Sequence, residues 1–94
     1  MVFVLNKCFG GFSVSDFAVE RLGIADKYSF NNYDPLQVDA LASLIAEYGS
    51  EKCSGRSAKL KVVEIPDACT DYEINDYDGV ETITYVVDGK LYHA

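Results

Sequence analysis

The chain has 94 residues, enough for one hydrophobic core and not for two, so a single domain over 1–94 is expected. Its composition is 49% hydrophobic and 24% charged with only 2 prolines, which excludes disordered and collagen-like classes. With 15 acidic against 8 basic residues the net charge is −7, which argues against general binding to nucleic-acid backbones.

The opening run Val2-Phe3-Val4-Leu5 is short, β-branched and aromatic, and predicts a strand. It carries no basic leader and is too short to span a membrane. The three cysteines, Cys8, Cys53 and Cys69, are odd in number, widely spaced and form no CxxC pair, which fits reduced thiols. A cytoplasmic protein is expected on both counts.

A glycine turn, Cys8-Phe9-Gly10-Gly11-Phe12-Ser13, follows the strand. Apolar residues at Val14, Phe17, Ala18 and Leu22 then keep helical spacing, with Ser13 placed as N-cap and Gly23 as the left-handed stop. Residues 25–33 have no clear period and predict a surface connection with Phe30 or Tyr33 turned inward. Asp34, Pro35 and Gln37 mark the start of a second helix through a capping box. Its stripe is Val38, Leu41, Ala42, Ile45 and Tyr48, and Gly49 ends it. A polar loop over 50–57 leads into the strand Lys59–Ile65.

Asp78-Gly79 and Asp88-Gly89 are two-residue hairpin turns of the type I′ kind. They set Tyr72 opposite Tyr85, Ile74 opposite Ile83, Asp76 opposite Glu81 and Tyr85 opposite Tyr92. The tyrosine row, with Ile74 and Ile83, is expected to lie under the helices; an exposed platform for stacking a base is the alternative. The fold class is therefore α+β, an antiparallel sheet of about five strands with two helices packed on one face.

Eight acids lie between Val62 and Gly89 with no Lys or Arg among them, whereas Lys52, Arg56, Lys59 and Lys61 cluster just before. Glu73, Asp76, Asp78 and Glu81 would make an acidic interface for a basic protein, the strategy of a DNA mimic. Asp71, Glu73 and Asn75 alternate as calcium ligands do, but Asp76 and Thr82 stand where an EF-hand needs Gly and Glu. No metal site, cofactor or catalytic residue is expected: the one histidine, His93, supports no zinc set and only a thin dyad with Cys8.

The glycine turn is the stronger ligand candidate. Gly10 and Gly11 let backbone N–H groups approach an anion, Ser13 opens onto a helix N-terminus, and Lys7 adds charge. Lys7, Phe9, Gly10, Gly11, Phe12 and Ser13 are the expected ligand-binding residues, for a phosphate-bearing small molecule such as a nucleotide.

Three stretches carry a resemblance: residues 4–13 (VLNKCFGGFS), 60–67 (LKVVEIPD) and 72–81 (YEINDYDGVE). In that order the chain resembles a family of small proteins encoded by bacteriophages and prophages. The resemblance implies a viral product in bacterial cytoplasm, a non-enzymatic binding protein that sequesters a signalling nucleotide or blocks another host component. Self-association into a homodimer is compatible with so short a chain.

Overall fold

A computed structural model describes residues 1–94 and has the order β1 (Val2–Asn6), α1 (Asp16–Leu22), α2 (Pro35–Tyr48), α3 (Ser50–Cys53), β2 (Leu60–Glu64), β3 (Asp71–Tyr77), β4 (Val80–Val87) and β5 (Lys90–His93). The class is α+β with five antiparallel strands, divided between two sheets. β1 and β2 form one, with Val4 opposite Val62; β3, β4 and β5 form the other.

That division changes what covers what. Alternate side chains of a strand point to opposite faces, and β1 is nearly all buried because both of its faces are covered. Val4 and Leu60 meet Val14, Ala18, Val38, Leu41 and Cys53 on the helical side. Phe3, Leu5, Val63 and Ile65 meet Ile83 on the other, with Tyr72, Ile74 and Tyr85 packed around them. Tyr72 and Tyr85 thus pack against the β1–β2 layer, with Tyr72 also bordering a cavity at α2, and Tyr92 lies outside both core clusters. Tyr72 packs on Phe3 at 5.0 Å, while Tyr85 stacks on a half-exposed Tyr92 at 5.5 Å.

The hairpin registers are those expected from the turns, including Tyr72 with Tyr85, Asp76 with Glu81 and Tyr85 with Tyr92. Both central residues of each turn have positive φ, 51° and 89° at Asp78-Gly79 and 52° and 75° at Asp88-Gly89. This is the type I′ geometry that matches strand twist.

The helix ends differ in detail. Ser15, not Ser13, caps α1, its hydroxyl accepting the Ala18 N–H at 3.2 Å, because Ser13 is drawn into the interior. Gly23, with φ 68°, stops α1 as expected and donates to the Val19 carbonyl. Asp34 caps α2 by accepting the Leu36 N–H, with Pro35 in the first turn. The Gln37 side-chain Oε1 reaches past Asp34 to accept the Asn31 N–H at 2.9 Å, so the reciprocal half of the capping box is replaced by a tie to the preceding connection. In that connection Phe30 is the residue turned inward, stacked on Phe12 at 5.2 Å, and Tyr33 is exposed. The polar loop after Gly49 begins with the turn of helix α3. The Ser50 hydroxyl donates to the Leu60 carbonyl and the Ser54 hydroxyl accepts the Leu60 N–H, joining α3 to β2.

Candidate functional site: an anion cleft beside the glycine turn

Asn6, at the end of β1, is wholly buried and organises the glycine turn. Its amide donates to the carbonyls of Cys8 (2.8 Å) and Gly79 (2.6 Å), and its oxygen accepts the N–H groups of Lys59 (2.8 Å) and Cys8 (3.3 Å). A buried amide with every bond made draws three segments together. The Asp78-Gly79 hairpin tip is thereby docked on the glycine turn, with Gly10 N–H donating to the Asp78 carbonyl at 3.3 Å. A Cβ on Gly79 would lie 2.2 Å from the Gly11 nitrogen, so the approach requires glycine.

The expected ligand set is redistributed accordingly. Gly11 backs onto the hairpin, and the Gly10 N–H is already bonded. Lys7 turns the other way, its ammonium donating to the Glu81 carbonyl at 2.7 Å. Burial, with the Lys61 charge beside it, holds the Lys7 pKa below its ordinary value, against the opposing pull of Glu81. Phe12 packs with Phe30 against the helical core, and Phe9 is exposed on the surface. α1 starts after a cap at Ser15 and has 7 residues, so the anion site expected at Ser13 through a helix N-terminus does not form.

Gly10 and Ser13 nevertheless line a cavity of ≈ 190 Å³, together with Lys27, Tyr28, Arg56 and Ser57. Backbone bonds tie its walls: Val14 N–H to the Lys27 carbonyl (3.3 Å), Gly55 N–H to the Ser13 carbonyl (3.0 Å) and Ser15 N–H to the Cys53 carbonyl (2.8 Å). Arg56 also borders a wider cleft of ≈ 640 Å³ on its other side, where Cys8, Ser54 and Lys59 appear. The ion pair of the molecule is that between the Met1 ammonium and Asp67, at 2.6 Å; Lys27, Arg56 and Lys59 have no carboxylate partner. In the smaller cavity two cations without a carboxylate within ion-pair distance, Lys27 and Arg56, stand with the Ser13 and Ser57 hydroxyls and the Tyr28 ring, a set that can hold a phosphate or carboxylate, whereas the wider cleft at Lys59 also carries Glu51. Sequence reasoning missed Lys27, Tyr28, Arg56 and Ser57 as site residues. The basic cluster around Arg56 was the available signal, but nothing local joins it to Gly10.

The acidic hairpin is likewise sorted. Glu73, Asp76 and Asp78 are exposed, whereas Glu81 is 8% exposed and cannot serve as an interface residue. Its carboxylate accepts the Asn6 N–H at 2.8 Å and so closes the free edge of β1. Burial raises the Glu81 pKa, and the Asp76 charge opposite adds to this; the Asn6 N–H and Lys7 oppose it. Asp76 bonds instead to the Gly79 N–H, at 2.8 Å. No group of three or more His, Cys, Asp or Glu stands together to hold a metal ion. His93 is engaged with the Thr84 hydroxyl at 3.3 Å, and Cys8 lies at the Arg56 cleft.

No helix is long and apolar enough to cross a membrane. Comparison with protein-family models, with curated proteins and with solved structures finds no match to this chain.

Proposed function

We propose that the protein is a non-enzymatic binding protein for a small phosphate-bearing ligand, held in the Gly10–Ser13–Arg56 cleft. The observation that carries this reading is the convergence of Lys27 and Arg56, without carboxylate partners, on one cavity in a chain of net charge −7. Unpaired cations beside a strongly acidic surface are suited to an anion that offers several acceptors, and Tyr28 supplies a ring on which a base can stack. The resemblance to phage proteins favours a signalling nucleotide of a bacterial host, sequestered from its receptor.

Titration calorimetry with cyclic dinucleotides, ADP-ribose and inorganic phosphate tests this. Saturable heat with at least one of them is expected, lost or weakened about tenfold or more in Arg56→Ala and Lys27→Ala, as removal of a charge-assisted bond of about 1.5–3 kcal/mol requires. Absence of heat with every ligand, or binding indifferent to both substitutions, would overturn it.

A second reading is favoured by the hairpin tip, where Tyr77 is 74% exposed among Glu73, Asp76 and Asp78. An exposed aromatic ringed by acids is the form of an anchor for a basic protein. Charge reversal at Glu73 and Asp76 should then abolish salt-sensitive capture of that partner, and unchanged capture would remove this reading.

A further inference from the structure

A free sheet edge offers unpaired N–H and C=O groups to any strand that can pair with it, and folded proteins usually guard such edges. Here the Glu81 carboxylate closes the β1 edge at the Asn6 N–H, and the Ser50 and Ser54 hydroxyls occupy the Leu60 backbone at the start of β2. Asp71, Glu73 and Asp76 line β3 with like charge. β5 has no such guard. It pairs on one side only, with β4, and all four of its residues are exposed, Leu91 at 62% and Tyr92 at 42%, with no acid among them.

The register of β4 and β5 tells which backbone groups are free. Opposed residues of an antiparallel pair alternate between exchanging both hydrogen bonds and exchanging none. Ala94 exchanges both with Ile83, so Tyr92 with Tyr85 and Lys90 with Val87 are the other bonded pairs. Leu91 and His93 therefore turn their N–H and C=O groups to the open side. A second antiparallel copy with Tyr92 opposite Tyr92 sets Leu91 opposite His93 twice and satisfies all of these groups. Centring the pair on Leu91 or on His93 leaves half of them unmet. In the Tyr92 register Lys90 faces Ala94, so no like charges oppose each other.

The side chains agree with that register. Tyr92 stacks on Tyr85 with ring planes 18° apart, and the two border a cavity of ≈ 280 Å³ with Pro66 and Val87. Residues opposed without hydrogen bonds approach to about 4.5 Å between Cα atoms, so two Tyr92 rings would meet and continue the stack across the junction.

We propose that the protein associates with a second copy of itself through β5, as a continuous six-stranded antiparallel sheet about a twofold axis at Tyr92. The interface is one short strand from each copy, which places it among weak, transient associations. Docking of β5 on the acidic β3 edge is the heterologous alternative, which does not close and builds fibres. The matched bond pattern and the tyrosine row favour the closed pair.

Sedimentation velocity of the full chain over about 0.02–1 mM tests the assignment, with a reversible rise from monomer to dimer mass expected. Leu91→Pro deletes an N–H that β4 does not use, at an edge position where proline is tolerated, and should weaken association about tenfold or more. Leu91→Lys keeps that N–H, sets a lysine opposite His93 and should also weaken association, so it decides the matter even if Leu91→Pro does not fold. Tyr92→Cys in a Cys8→Ser, Cys69→Ser background should oxidise to a disulfide-linked dimer, because this register brings the two positions within disulfide reach. Monomer mass at every concentration, dimerisation indifferent to both Leu91 substitutions, or no crosslinked dimer from Tyr92→Cys would overturn the proposal. Growth beyond dimer that Glu73→Lys suppresses would overturn it too, in favour of β5 on β3.

Discussion

Glu81 shows how one side chain can reverse its apparent role. Placed opposite Asp76 by the hairpin register, it reads as half of an exposed acidic pair, yet it turns inward to accept the β1 edge N–H of Asn6. Its raised pKa means that the folded state holds the proton more tightly than the unfolded chain does. The associated stability is fully present below the ordinary carboxyl range and is lost as pH rises through the raised value. Glu81→Gln keeps an acceptor for Asn6 but never ionises, so its stability relative to the native chain should climb across that window. Urea midpoints at pH 4 and pH 8 measure the change, and a difference independent of pH would show that Glu81 titrates normally. Glu81→Ala leaves the Asn6 N–H without its bond and should cost about 1–3 kcal/mol at pH 4 and less at pH 8, where ionisation has already taken stability from the native chain.

Between elements, the contact that shapes the candidate site is tip against turn, Asp78-Gly79 on Gly10-Gly11. Gly79 and Gly89 occupy the same position of the same turn type with φ 89° and 75°, but only Gly79 is crowded, and Gly89 has open space. Gly89→Ala should therefore cost only the left-handed backbone, about 1 kcal/mol. Gly79→Ala carries that cost and also forces the tip from the glycine turn, and chemical denaturation should show a clearly larger loss. Equal losses would mean that the docking contributes nothing. The contrast also explains what was legible in the sequence. A two-residue turn fixes its own register, so every hairpin pairing followed from Asp-Gly alone. The docking of one turn on another, and the cleft that Lys27 and Arg56 make with Gly10, join segments distant along the chain. Their specification lies in a buried Asn6 that resembles a strand terminator. Equally, Val2-Phe3-Val4-Leu5 announces a buried strand, but the run is apolar on both faces because two layers cover it, and alternation in β3 and β4 does not reveal which layer they meet.

For the molecule as a whole, charge is segregated and almost unpaired. The acids of residues 62–89 have no base among them along the chain, Asp76 and Glu81 stand directly opposite each other, and the sole ion pair joins the Met1 ammonium to Asp67, whose carboxyl that contact holds below its ordinary pKa. Self-repulsion of this kind opposes the compact state and is screened within about 8–10 Å at physiological ionic strength. Added sodium chloride should therefore raise the melting temperature, each kcal/mol relieved being worth about 4–8 °C in a domain of this size. The Arg56 cleft responds with opposite sign, because there salt screens an attraction between cations and a bound anion. Calorimetric affinity for a phosphate-bearing ligand should fall over the same salt range in which the fold becomes more stable. Parallel falls in both would mean that attractive ion pairs hold the fold together, in conflict with the unpaired cations. A salt-insensitive affinity would place ligand recognition away from Lys27 and Arg56.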